Sequence, residues 1–379
     1  MVKYEKLMEE ARETIPTVMA SMSKLVEMRY QMDMQSTSQW LGSAFSKGLS
    51  ALSTIETIKI QARVQFRTNR SEEAPFGQHL QAISGMRNLH TFEFSVSSEC
   101  NLPSDLDDLW RAMQAANIQL RSISVDDVSP SLLEYLASFR GLCHLALSLL
   151  MRDGMASGDG EEKMVSFLFK VVVRHSGTLS HLAVAGRSRC WCITEHNISA
   201  LARCRSLKSL TTSLKQNIDF DFLTPLEFIF EYIQTLPSLR QLVLQLTRIF
   251  PDPPNYWRMG IAPQVLLSVH NAVTSIEHHE VSLVPEVLTI EYGNAGSVEY
   301  RLVELQLGSG AKTWRYYGEK PAWFHFDWIL CDGMDSDEED SIVSGDFQRR
   351  MQQQKKDRIA ERVTYAAEQK AKGVLPGQF

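Results

Sequence analysis

The sequence predicts an α/β fold: an irregular solenoid with parallel strands lining the inside and helices packed outside. Three observations carry this expectation. A phrase of the form apolar-x-x-apolar-x-apolar recurs along the chain, as Ile55-Ile58-Ile60, Leu89-Phe92-Phe94, Leu120-Ile123-Val125, Leu142-Leu145-Leu147, Leu179-Leu182-Val184, Leu207-Leu210-Thr212 and Leu239-Leu242-Leu244. The phrases open at positions 55, 89, 120, 142, 179, 207 and 239, a mean spacing of about 31, which is the period of a repeat architecture. The stretches between phrases have helical spacing, so each strand returns through a crossover helix and its neighbour must be parallel.

The second half of every phrase alternates as a short strand does. Ser104 to Ala116 places Leu106, Leu109, Trp110 and Met113 on one helical face. Ser104 is set to cap it, with Asp107 three residues on. Pro130 to Phe139 opens on a proline suited to a first helical turn and buries Leu132, Leu133, Leu136 and Phe139. Glu161 to His175, Thr194 to Cys204 and Phe222 to Leu236 repeat the arrangement, with Gly177 ending the first and Pro237 following the last. One strand–helix unit cannot bury both of its layers, whereas stacked neighbours can. A doubly wound sheet is the competing architecture, but no glycine-rich phosphate loop follows any strand.

Before and after the array the pattern changes. Residues 1–48 are expected to form an amphipathic helical cap, since Tyr4, Leu7, Met8, Ala11, Ile15, Val18, Met19, Met22, Leu25 and Val26 follow spacings of three and four. Pro16 is expected to bend or split that helix. Seven of the fifteen methionines lie between Met1 and Met34, a soft surface that suits either a cap or a partner helix. Residues 49–250 hold the solenoid. Residues 251–331 read as an irregular C-terminal cap. In it, Val287–Tyr292 and Val298–Leu307 form a hairpin across Gly293-Asn294-Ala295-Gly296. An aromatic cluster follows (Trp314, Tyr316, Tyr317, Trp323, Phe324, Phe326, Trp328) and is expected to close the edge of the sheet. Residues 332–379 read as a disordered acidic linker, with seven acidic and no basic residues from Asp332 to Asp346, followed by a basic helical tail of local charge +5 from Arg349 to Lys372.

Composition narrows the function classes. A net charge of -6 over 379 residues disfavours a general nucleic-acid binder. No run reaches the roughly 18–20 apolar residues that span a bilayer. The charged N-terminus has no apolar stretch of a secretory signal, so the cytoplasm or the nucleus is expected. Six cysteines fit a reducing compartment and no disulfide framework.

Searches for chemistry return little. Cys190, Cys192, His196 and Cys204 supply zinc-type donors without the paired spacing of structural sites, and buried thiols are the expectation. Asp153 to Gly160 resembles a calcium loop but puts Met155 and Met164 where oxygen donors are needed. His278-His279-Glu280 lacks the helical histidine pair of zinc hydrolases. No catalytic residue, cofactor or metal is assigned. An α/β hydrolase is kept only as a remote alternative, because triads assembled in space leave no spacing in sequence.

The strand residues between the apolar ones should point to the inner face. They form columns headed by Thr57, Lys59 and Gln61. Lys59, Glu93, Ser124, Asp126, His144, His181, Gln241 and Gln245 are the candidate partner-binding residues. Small and nearly neutral, these columns suit a protein partner rather than a phosphate chain. His144 and His181 are expected on adjacent strands, as two solvated imidazoles.

The repeats, as in Leu236-Pro-Ser-Leu-Arg-Gln-Leu-Val-Leu and Cys204-Arg-Ser-Leu-Lys-Ser-Leu, resemble leucine-rich-repeat proteins, most of all the F-box-like repeat families of fungi, over Leu49 to Leu307. The resemblance implies substrate recognition for a cullin ubiquitin ligase, with a cullin adaptor as second partner. The Leu-Pro opening of an F-box is not visible in residues 1–50, where Trp40 stands alone, so a stand-alone repeat scaffold is the alternative. The usual Asn or Cys after the last core position is replaced by Arg63, Ser97, Val128, Leu150, Arg187, Lys215 and Thr247, which predicts an irregular arc.

Overall fold

A computed structural model of the chain describes residues 2–33, 48, 52, 54–63, 82–96, 105–126, 128–149, 159–186, 195–214, 223–246, 261–276, 278, 284–291, 297–306 and 312–318. The elements run α1 (Val2–Ser21), β1 (Glu27–Asp33), β2 (Thr57–Arg63), a 3-10 turn (Ala82–Gly85), β3 (Thr91–Val96), α2 (Asp105–Ala115), β4 (Ser122–Val125), α3 (Pro130–Ser138) and β5 (His144–Leu149). They continue with α4 (Asp159–Arg174), β6 (His181–Gly186), α5 (Glu195–Leu201), β7 (Ser209–Leu214), α6 (Leu223–Ile233), β8 (Gln241–Leu246), α7 (Ile261–Ser275), β9 (Val287–Glu291), β10 (Ser297–Gln306) and β11 (Lys312–Gly318). All eleven strands form one open sheet whose spatial order is the sequence order. From β1 to β9 every pairing is parallel, and β9, β10 and β11 are antiparallel. Because the strand order never reverses, crossovers of one hand put the helices on a single face.

The core is that covered face. Every apolar position of the seven phrases, Thr212 included, is at most 7% exposed. Against them pack Leu106, Leu109, Trp110 and Met113 of α2 and Leu132, Leu133 and Leu136 of α3, all buried as the helical spacing predicts. Ser129 caps α3, its Oγ accepting from the Leu132 amide, with Pro130 at the start of the helix.

Register is fixed at the strand entrances. The carbonyls of Val26, Glu56, His90, Arg121, Cys143, Ser180 and Lys208 each accept two successive amides from the following strand, at 2.7–3.1 Å. Thr54 and Thr178 add a side-chain rung, each Oγ1 donating to the carbonyl of the apolar residue that opens the preceding strand unit, Leu25 and Leu142, at 2.8 Å.

Two buried polar side chains tie helices to these turns. The Tyr135 hydroxyl donates to the Ile118 carbonyl at 2.8 Å and accepts from the Leu120 amide at 3.3 Å. Its ring stacks on Trp110, which meets Phe92 edge-on. His175 accepts from the Leu142 amide through Nδ1 at 3.3 Å, so Nε2 carries the proton and donates to Leu136 O at 3.0 Å. Burial holds His175 below the ordinary histidine value; its bond to the Leu136 carbonyl pulls the other way and Arg174 adds to the lowering.

Several expectations need correction. The N-terminal helix ends at Ser21 and runs through Pro16 without splitting. Leu25, Met28 and Tyr30 then open the sheet as strand β1, so the N-terminal segment is not a purely helical cap. The long helical spacing hid this strand because Met and Tyr stand where later units carry Leu or Ile. Beyond residue 251, α7 and β9 extend the parallel array by one further unit before the predicted hairpin of β9 and β10 begins. The aromatic cluster contains a strand, β11, that pairs antiparallel with β10. Tyr316 points into the core and donates to the Pro285 carbonyl at 2.6 Å, whereas Tyr317 is 67% exposed. Trp40, Trp323, Phe324, Phe326, Trp328 and the whole of 332–379 lie outside the described residues.

Tyr135→Phe keeps the stacked ring and strands two buried backbone groups, so a loss of about 1–3 kcal/mol is expected in urea unfolding. For His175 the sign follows from its lowered folded-state value. The stability carried by the neutral ring is full above about pH 6.5 and is lost as pH falls through that lowered value. The urea midpoint should therefore drop between pH 7 and pH 5, and His175→Gln, which can make the same two bonds, should remove part of that drop. An unchanged slope in the variant would refute the assignment.

Candidate functional site

The face of the sheet opposite the helices carries the candidate residues. Parallel register assembles them into columns across the strands. The first column runs Glu27, Thr57, Thr91, Ser122, His144, His181, Ser209, Gln241 and Val287. The second runs Arg29, Lys59, Glu93, Ser124, Ala146, Ala183, Thr211, Val243 and Thr289. The third pairs Gln31 with Gln61 and Ser95, Ser148 with Ala185, and Ser213 with Gln245 and Glu291. Where their burial is described, these positions are half-buried or exposed, except Ser213 at 1% and Val243 at 8% exposure.

Within the columns the candidates form three separate groups. At one end, Lys59 Nζ lies 2.7 Å from Glu93 Oε1, both side chains about one-third exposed. Arg29 and Glu27 pair beside them on β1 at 2.8 Å. Ser124 follows Glu93 in the same column, and Asp126 is half-buried just past the end of β4. At the other end, Gln245 Nε2 donates to Glu291 Oε2 at 2.6 Å, and Gln241 accepts from Ser209 Oγ at 3.4 Å. Between them, the His144 and His181 imidazoles stack with centroids 5.5 Å apart and planes 16° apart.

The imidazole pair is tied to the strand entrance through Ser180. Ser180 Oγ donates to the Cys143 carbonyl at 3.0 Å. Ser180 Oγ also lies 2.8 Å from His181 Nδ1, and the direction of that bond follows the tautomer of the ring. Burial first, then the His181 ring, hold His144 below the ordinary histidine value, while the Glu93 carboxylate works in the opposite direction. Lone pairs of nearly parallel rings do not converge on one metal ion. Among the described residues no group of three or more His, Cys, Asp and Glu is placed to hold one.

Of the zinc-type donors, Cys204 is buried and its thiol is pushed up to about 11 by desolvation. Cys190 and Cys192 lie outside the described residues, as does most of the 153–160 segment. Sequence reasoning missed Glu27, Arg29 and Gln31 on β1, and Val287, Thr289 and Glu291 on β9, as members of the columns. The available signals were Leu25-x-x-Met28-x-Tyr30 and Pro285-x-x-Leu288-x-Ile290. Among the described residues no helix is long and apolar enough to cross a membrane.

No protein-family model matches this chain, and no curated protein matches it. The fold and the face described above are the grounds for any reading of function.

His181→Gln removes one neighbour that disfavours the His144 imidazolium, so the His144 titration, followed by its ring proton resonances, should move up. Glu93→Gln should move it down. Movement of either in the opposite sense would contradict the geometry.

Proposed function

We propose that the chain is a non-enzymatic protein-interaction module, a leucine-rich-repeat-like solenoid whose open sheet face takes a protein partner. The observation that carries this reading is the open face itself. Nine parallel strands hold their outward columns in strict lateral register, charged towards the ends and small at the centre, with Ala146 beside Ala183 and Ser122 beside His144. A surface of this kind lets another protein's backbone approach closely, and its polar groups supply hydrogen bonds at the rim of the contact. The neighbour-only stacking of strand and helix is what a solenoid requires, and such arrays commonly bind through the strand-lined side.

Within this reading two settings differ in their second partner. As the substrate receptor of a cullin-type ubiquitin ligase, the chain would also hold a cullin adaptor. As a stand-alone scaffold it would not. The stand-alone setting is favoured because the described part of the N-terminal segment is mainly one helix and the first strand of the sheet itself, α1 and β1.

The test is affinity purification of the full chain from its native cells, beside an Ala146→Arg/Ala183→Arg variant and a Gln114→Arg control on the exposed side of α2. Two arginines in the middle of the face should cut recovery of the direct partner by about tenfold or more, equivalent to about 1.4 kcal/mol, and leave the thermal midpoint in place. The control should recover it as the wild type does. Equal recovery by the face variant would end the open-face reading, and stoichiometric cullin adaptor would restore the ligase setting.

A further inference from the structure

The connectors that lead from each helix into the next strand have a charge pattern unlike the rest of the chain. Six of them, residues 86–90, 116–121, 139–143, 175–180, 202–208 and 234–240, precede β3 to β8. Together they carry seven basic residues, six Arg and one Lys, and no acidic one. The segments that lead from strand to helix across the same span, residues 97–104, 126–129, 150–158, 187–194, 215–222 and 247–260, carry seven acidic and six basic residues. In a chain of net charge -6, the stretch of this rim from β3 to β8 is therefore selectively positive, flanked by Glu56 before β2 and Glu286 before β9.

The backbone places these charges in rows. Arg121, Lys208 and Arg240 occupy the same register position, immediately before their strands, where the chain of paired amides and carbonyls passes from His90 through Arg121, Cys143, Ser180 and Lys208 to Arg240. Arg87, Arg140 and Arg205 stand three residues before the equivalent points. With strands about 4.8 Å apart, the rim from β3 to β8 extends about 24 Å. All seven side chains are exposed, and none makes a hydrogen bond or ion pair among the described residues.

Helix dipoles do not explain them. A cation at a helix C-terminus is stabilised only within the last turn, and α2, α3, α5 and α6 have no basic residue there. Arg121 comes six residues after α2 ends, and Lys208 seven after α5. Clustered like charges cost stability by mutual repulsion, which a bound polyanion would relieve.

We infer that this helix-to-strand rim is a docking surface for an acidic polypeptide segment of another protein. About seven residues of extended chain, at about 3.4 Å each, match its length. Arginine forks bind carboxylates in a bidentate way. A nucleic acid fits less well: single strands are held by aromatic stacking beside the cations, and the only benzene- or indole-bearing residue on these connectors, Phe139, is buried. An anionic membrane fits less well too, since none of the exposed large apolar side chains lies on them. The rim is a different surface from the open face, and the inference stands without the reading proposed for that face.

The test uses the full chain and a labelled 20-residue polyglutamate, followed by fluorescence anisotropy at low and at physiological salt. Arg121→Glu/Lys208→Glu/Arg240→Glu should weaken binding by about tenfold or more, and salt should weaken the wild type. A second variant, Arg140→Glu/Arg205→Glu, should act in the same direction should the triple variant fold poorly. Arg111→Glu/Lys163→Glu/Lys170→Glu, an equal change of charge on exposed helix positions, should stay within about twofold, as should Ala146→Arg/Ala183→Arg. Equal loss in the helix control, or no binding of polyglutamate at low salt, would overturn the inference. Tighter binding of polyadenylate RNA or of phosphatidylserine vesicles at the same salt would overturn the choice of partner.

Discussion

The strand entrances govern this molecule. One carbonyl accepting two consecutive amides from the next strand, repeated from Val26 to Lys208, sets where each strand begins relative to its predecessor. A slip of one residue would turn every Leu, Ile and Phe of the phrases to the uncovered side. It would also scatter the columns that run from Glu27 to Val287. Tyr135 and His175 reinforce the same points from the helix layer, because their bonds end on Ile118, Leu120, Leu136 and Leu142, in or beside the turns that feed β4 and β5. The core and the outward columns are thus two results of one backbone arrangement.

Much of this was legible in the sequence wherever the unit was written in Leu, Ile, Val and Phe. The phrase from Leu142 to Leu147 specifies its strand, its buried positions and, through His144, Ala146 and Ser148, its outward ones. Legibility failed where another residue type filled an apolar slot. Met28 and Tyr30 pack against the core as Ile58 and Ile60 do, yet they follow directly on a helical spacing that runs to Val26, and no residue marks where the helix stops. Pro285 stands where Leu239 stands one unit earlier, which disguised the last parallel strand. The partners of side chains were least legible of all. Lys59 with Glu93 follows from register, but the contacts of Ser180 with the Cys143 carbonyl and with His181 are announced by no pattern.

The charges divide along a different line from the apolar residues. Apolar spacing reports which layer a residue faces, and it is read along the chain. The basic rim becomes visible only when short connectors far apart in sequence are laid side by side, because each holds at most three cations. Composition averages them away within a net charge of -6.

The rung between Trp314 and His278 has a consequence for assembly. A purely parallel ladder is translationally open, since its last strand offers the same edge as every strand before it and a second molecule could continue the series. Here β10 reverses and β11 reverses again, and the outward amide and carbonyl of Trp314 on β11 are taken up by His278. β11 recovers the direction of β1–β9, so polarity does not close the series; the rung between Trp314 and His278 blunts it, by occupying part of the edge that a second molecule would need.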